Sequence, residues 1–131
     1  MNSKIYNEIK NKFIDIEINR KTSEYVNNKY DLSKYYEIGK LILEAQGGED
    51  KAKYGNYIIK ELSDRLTSEL GKGYSTRSLK YIRKYYIYQK GQPVVAQLSW
   101  THYIILLSLD NKFIMQYYSD NRILSRKYKI E

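Results

Sequence analysis

The sequence contains no cysteine, one proline and one histidine among its 131 residues. The absence of cysteine excludes disulfide bonds, thiolate nucleophiles and cysteine-ligated zinc, and a lone His102 excludes a histidine-rich metal site within the chain. The apolar run at 103–107 is far shorter than the roughly 20 residues of a membrane span, and the N-terminal residues do not resemble a secretory signal. We therefore expect no metal, no other cofactor, no membrane partner and a cytoplasmic location.

Carboxylates are missing from one long segment, residues 70–109, although the whole chain has 15 of them against 23 lysine and arginine residues. This segment holds six lysine and arginine residues, so it supplies +6 of the net charge of +8. Solvation of a surface does not require charge of one sign. The acid-free segment therefore favours an interaction with phosphate groups.

Tyrosine is abundant where phenylalanine is scarce, with 16 and 2 copies respectively. A tyrosine ring can pack in a core while its hydroxyl reaches water or a backbone group. The simpler interpretation is that tyrosine builds the helix contacts for which other proteins use phenylalanine or leucine. The alternative is that one or two exposed tyrosines stack on nucleic-acid bases.

Apolar residues recur at helical spacing along the whole chain, and no period-two pattern of a strand occurs. This predicts a single all-α domain, residues 1–131, with five to six helices and a helix-turn-helix-like unit. Gly39 lies inside the second helix, which predicts close approach of another helix. The fifth helix is apolar on most faces and is expected to be the most buried. The predicted helices cover about 4–18, 24–45, 54–70, 75–90 and 100–109, with a sixth from about 112 and a break at 19–23.

The stretch 70–90 carries the functional hypothesis. Two glycines interrupt the chain after the third helix, and Ser75 or Thr76 can cap the fourth. The fourth helix has an apolar stripe of Leu79, Ile82 and Tyr86, and a separate basic stripe beside it. A helix, a glycine turn and a cationic second helix are typical of a helix-turn-helix reader of duplex DNA. The predicted nucleic-acid-binding residues are Lys72, Ser75, Thr76, Arg77, Lys80, Tyr81, Arg83 and Lys84.

No arrangement of residues predicts catalysis. His102 lies beside Trp100, which favours a packed, hydrogen-bonded residue over a catalyst, and no serine or cysteine partner is fixed by the sequence. Glu-x-Lys occurs at 8–10 and 49–51, but neither match follows an acidic residue on a strand, as a two-carboxylate magnesium site requires. We therefore predict no catalytic residue in this chain.

Four motifs support a resemblance to a known family: Tyr-Glu-Ile-Gly at 36–39, Leu-Ser-Asp-Arg-Leu-Thr at 62–67, Gly-Lys-Gly-Tyr-Ser at 71–75 and Gln-Leu-Ser-Trp-Thr-His at 97–102. On these motifs, residues 35–107 resemble the YhcG-type N-terminal domain family, also called DUF1016 N-terminal. The match is strongest over 35–109. The residues that carry the family pattern are Gly39, Gly71, Gly73, Leu98, Ser99, Trp100 and His102.

The resemblance implies a bacterial helical module with a DNA-binding role, which precedes a PD-(D/E)xK nuclease domain in full-length members. The nuclease half has no counterpart in these 131 residues, and the tail at 119–131 departs from the family pattern. We therefore expect a non-catalytic DNA-binding module, the targeting part of a nuclease-family protein, and not an enzyme.

A protein-interaction module is the alternative function. The first two helices could form a hairpin that makes a homo-oligomer or docks a nuclease domain or subunit. Gly39 and the tyrosine and isoleucine stripes of these helices suggest this reading. The same stripes could instead close the core of the domain itself.

Overall fold

The computed structural model describes residues 1–22, 28–48, 56–91 and 98–108 of the chain. These residues form five α-helices and no strand, which confirms the all-α prediction. The predicted sixth helix lies outside the described residues. The helices are α1 (Ser3–Thr22), α2 (Asn28–Ala45), α3 (Asn56–Leu70), α4 (Thr76–Gln89) and α5 (Trp100–Leu107).

Helices α1 and α2 pack antiparallel, as their polar contacts show. Lys12 pairs with Glu37 at 3.0 Å, and further along α1 Arg20 donates to Asp31 at 3.3 Å, nearer the start of α2. The Arg20 guanidinium also donates to the Tyr35 hydroxyl at 3.1 Å. The break predicted at 19–23 is wrong over its described residues, 19–22, because α1 continues to Thr22, where tertiary partners hold its last turn.

Helix α3 runs parallel to α1 and contacts a different side of α1 from the one that faces α2. The α-amino group of Met1 lies 3.7 Å from Glu61, the Arg65 guanidinium covers the Tyr6 ring at 3.7 Å, and Lys10 pairs with Glu69. The contacts advance along both helices in the same direction. Beneath them, buried apolar residues of α1 and α3 join one core, including Ile9, Phe13, Ile16, Ile59, Leu62 and Leu66.

Helix α2 is the central support of α4. A Cβ atom built on Gly39 would lie only 2.6 Å from the Ile82 carbonyl oxygen and 2.6 Å from the Tyr86 Cβ. The prediction that Gly39 admits another helix is therefore confirmed, and the helix is α4. The ring of Tyr36 packs beside that of Tyr86, with centroids 4.8 Å apart.

The prediction that the helix at 100–107 is the most buried is wrong. Tyr103, Leu106 and Leu107 of α5 are buried, but Ile105 is 46% exposed. Helix α2 buries a larger share of its residues because it has α1 on one side and α4 on another. Among the described residues, no helix has both the length and the apolarity needed to cross a membrane.

Candidate nucleic-acid interface

A glycine turn places α4 after α3. Gly71 and Gly73 have φ values of 98° and 110°, a region that glycine adopts without steric cost. The Ser63 hydroxyl on α3 donates to the Tyr74 carbonyl at 2.7 Å, and the Tyr74 ring meets that of Phe13 edge-on at 5.0 Å. The turn is thus tied to both α3 and α1, which fixes where α4 begins.

Ser75 is the N-cap of α4, one of the two residues that the sequence offered for this role. Its backbone is extended, and its hydroxyl accepts a hydrogen bond from the Ser78 backbone N–H at 3.1 Å. This satisfies one of the N–H groups that the first turn of a helix leaves unpaired. Thr76, the first helical residue, is exposed.

One face of α4 anchors the helix in the core. Leu79, Ile82 and Tyr85 are buried there. The sequence pattern correctly placed Leu79 and Ile82 but chose Tyr86 as the third position. Tyr86 is half-buried against α2, whereas Tyr85 is fully buried between the aromatic residues of α5. Both tyrosines follow Ile82 on the helix surface, so spacing alone does not separate them.

The opposite face of α4 presents the basic stripe. Arg77, Lys80 and Lys84 are exposed at positions i, i+3 and i+7, and Tyr81 lies half-buried among them. The Arg77 guanidinium is 5.6 Å and the Lys84 ammonium 5.9 Å from the centroid of the Tyr81 ring. A depression of about 300 Å³ opens at this face. We call it the basic cup; its lining residues are Thr76, Arg77, Lys80, Tyr81, Arg83 and Lys84.

The three exposed cations of the basic cup lie together on one face without a carboxylate partner, whereas only half of the lysine and arginine residues of α1 to α3 lack one within the described residues. Within the described residues, no carboxylate lies within 4 Å of Arg77, Lys80 or Lys84. By contrast, five cations of α1 to α3 are each paired with an aspartate or glutamate. These paired residues are Lys10, Lys12, Arg20, Lys34 and Lys60.

Two of the predicted DNA-binding cations, Arg83 and Lys72, do not belong to the exposed basic stripe of α4. Arg83 lines the cup, but its guanidinium turns inward and donates to the Gln46 side chain at 3.1 Å. Burial lowers the pKa of Arg83. Lys72 is exposed on the glycine turn beside α1 and does not line the cup. Lys84 keeps its exposure while its ammonium lies 3.5 Å from the Leu107 carbonyl oxygen.

The Leu-Ser-Trp-Thr-His segment at 98–102 packs on the buried face of α4. Leu98 is buried, and Ser99 caps α5, accepting from the His102 backbone N–H at 3.3 Å. The Trp100 ring lies between Tyr35 of α2 and Tyr85 of α4, with centroid distances of 4.5 and 5.6 Å. This motif therefore joins α5 to the two helices that hold the basic cup.

His102 is a hydrogen-bonded part of this support. Its Nδ1 lies 2.8 Å from the Ser99 hydroxyl, as expected for a packed histidine. Within the described residues, no group of three or more histidine, aspartate or glutamate side chains is placed to hold a metal ion.

Sequence reasoning missed two residues that shape the site, Tyr85 and Gln46. Tyr85 carries the aromatic contact between α4 and α5, and Gln46 holds the Arg83 guanidinium. Gln46 and Arg83 are 37 positions apart in the sequence, which leaves no local signal for this pair. For Tyr85, the row of neighbouring tyrosines concealed which ring points inward.

Comparisons with known proteins identify the family. The model of the DUF1016 N-terminal domain matches residues 9–128. Because this match covers most of the sequence, the chain belongs to the DUF1016 N-terminal domain family. The match also includes most of the tail at 119–131, so the expectation that this tail departs from the family is wrong.

A curated relative in Escherichia coli (strain K12) is named "Putative nuclease YhcG". It is 42% identical to this chain over 55 residues, which are 41% of the chain and 15% of the relative. The chain therefore matches only a small part of the length of that relative. No solved structure matches the chain.

Proposed function

We propose that this domain binds duplex DNA through the exposed face of α4. The observation that carries the proposal is the basic cup, in which three exposed cations have no carboxylate partner within the described residues. Phosphate contacts by lysine and arginine supply most of the affinity of a protein for DNA regardless of sequence. Cations already paired with carboxylates offer little for this purpose, since binding would first break those pairs.

The geometry of α3, the turn and α4 suits a recognition helix. Such a helix needs one face fixed in the protein and another free to enter the major groove. Leu79, Ile82 and Tyr85 fix α4, and Arg77 and Lys80 near its N-terminal half are exposed. We assign phosphate contacts to Arg77, Lys80 and Lys84, and a contact near base edges to Thr76.

The name of the curated relative suggests where such a domain acts. Only 15% of that relative, named as a nuclease, is matched by this chain. We propose that in proteins of this kind the domain positions DNA for a nuclease domain and itself performs no cleavage.

The test is a binding titration of labelled duplex DNA at constant ionic strength. The variant Lys80→Glu/Lys84→Glu reverses two charges of the basic cup and should weaken binding at least tenfold. A matched control, Lys4→Glu/Lys40→Glu, changes the net charge equally at exposed positions of α1 and α2 whose side chains also have no carboxylate partner within the described residues. The control should bind within about twofold to threefold of the wild type. Equal loss in both variants, or no loss in the first, would refute the role of α4.

The features that suggested a protein-interaction module are used inside the domain. Ile9, Phe13 and Ile16 of α1 are buried in its core, and Gly39 packs against α4. We therefore advance no second function from them.

A further inference from the structure

We infer that Tyr81 is a stacking platform for an unpaired base, so that the preferred ligand is duplex DNA that carries an unpaired nucleotide at an end or junction. The inference rests on the proposed function, because the phosphates beside that nucleotide would be held by the same basic stripe. It goes beyond the proposal by naming the DNA structure that the cup recognises.

The position of Tyr81 is the first observation. On α4 it lies four residues after Arg77 and three before Lys84, in the middle of the cationic face. The ring packs partly against the core and is half-buried, so its orientation is restricted. A tyrosine at this position adds no charge to a phosphate-binding surface. An aromatic ring among cations is, however, the combination with which proteins hold unpaired nucleotides.

The contacts of the ring are the second observation. Arg77 and Lys84 lie 5.6 and 5.9 Å from the ring centroid, near the outer limit of about 6 Å for a cation–π contact. At these distances the two cations create a positive potential around the ring, but they are not closely packed on it. Both side chains are exposed and can turn to the phosphates on either side of a stacked base.

The shape of the surface is the third observation. The basic cup is a concave space of about 300 Å³, at the lower end of the range for small-ligand sites. A flat cationic stripe would suffice for phosphates alone. A cup of this size with an aromatic wall accepts one base and its sugar. The interior bases of a duplex are stacked on both faces, whereas an unpaired base can present a free face to Tyr81.

The experiment compares three forms of one duplex: blunt, with a three-nucleotide overhang, and with an overhang of three abasic sites. The abasic overhang adds the same phosphates without bases, which separates stacking from charge. The wild type should bind the overhang with bases about tenfold more tightly than the abasic one, since only the former can stack a base on the ring. An overhang containing 2-aminopurine should lose fluorescence when the base stacks on the ring.

Two variants assign the effect to Tyr81. Tyr81→Leu keeps an apolar side chain against the core and should reduce the preference for bases to less than twofold. Tyr81→Phe keeps the ring and should retain it. Circular dichroism checks that both variants fold, and the 2-aminopurine signal of the wild type tests the inference without any variant.

The possible results separate the two proposals. Equal binding of the three DNAs, with salt-dependent affinity, would overturn the inference and leave duplex binding in place. Unchanged 2-aminopurine fluorescence on binding would also overturn the inference. Failure of the wild type to bind any of the three DNAs would overturn both the inference and the proposed function.

Discussion

The variant Gly39→Ala tests the packing that holds the candidate interface. The added methyl group would lie 2.6 Å from the Ile82 carbonyl oxygen and from the Tyr86 Cβ. Carbon atoms in favourable contact are about 3.5–4.0 Å apart, so α2 and α4 would have to separate by about 1 Å. One of the two close atoms belongs to the α4 backbone, which a change of side-chain rotamer cannot move.

The expected loss of stability combines two opposing effects. Overpacking of a well-packed core costs about 1–3 kcal/mol, and alanine regains up to about 1 kcal/mol of helix propensity. The free energy of unfolding should therefore fall by about 1–2 kcal/mol. For a domain of this size the melting temperature should decrease by about 4–8 °C.

Urea unfolding followed by circular dichroism measures this change, with Lys40→Ala as the control. Lys40 is the next residue of α2 and is exposed, so its replacement should change the free energy of unfolding by less than about 0.5 kcal/mol. A Gly39→Ala protein as stable as the wild type, or more stable, would contradict the close packing of α2 on α4.

Three further predictions concern α4 and its aromatic support. The buried Tyr85 hydroxyl has no hydrogen-bond partner among the described residues, so Tyr85→Phe should raise the free energy of unfolding by about 1 kcal/mol in urea titrations. Burial raises the pKa of Tyr103 to about 12 from the ordinary 10.0. Between about pH 10 and pH 12 the Tyr103 phenol therefore loses its proton only in the unfolded chain. As the pH rises through this range, this phenol should lower the free energy of unfolding by about 1.4 kcal/mol per pH unit, so the decrease should be less steep in Tyr103→Phe. Ser75→Ala removes the cap of α4 and should cost about 1 kcal/mol, measured by thermal unfolding.

Each of these three predictions can be contradicted by a specific result or checked with a control variant. Lower stability of Tyr85→Phe would show that the hydroxyl has a partner. Identical pH profiles of the wild type and Tyr103→Phe above pH 10 would contradict the burial of that phenol. Ser75→Asn should retain most of the stability, because asparagine also accepts the N–H bond of the first turn.

The sequence predicted most of the local structure because local chemistry determines it. Gly39 inside a helix, the glycines at 71 and 73 and a cap at Ser75 or Thr76 are local signals, and the structure has a close helix contact, a turn and the Ser75 cap at these positions. The exposed stripe of Arg77, Lys80 and Lys84 also follows from helical spacing.

Long-range contacts account for what the sequence did not reveal. Arg83 carries the same charge as its neighbours on α4, but its guanidinium turns inward, where it donates to the side chain of Gln46. The extension of α1 to Thr22 depends on Arg20 meeting Asp31 and Tyr35 across the hairpin. The inward orientation of Tyr85 depends on the position of Trp100. Such partners are distant in sequence and leave no periodic pattern.

The salt dependence of duplex binding tests the central claim most directly. If Arg77, Lys80 and Lys84 each neutralise one phosphate, the logarithm of the affinity should fall with the logarithm of the salt concentration at a slope of about −2.7. Replacing Lys80 by alanine should reduce the magnitude of this slope by about 0.9, and replacing Lys4 should leave it unchanged. A slope near zero, or equal effects of the two replacements, would contradict DNA binding through the basic cup.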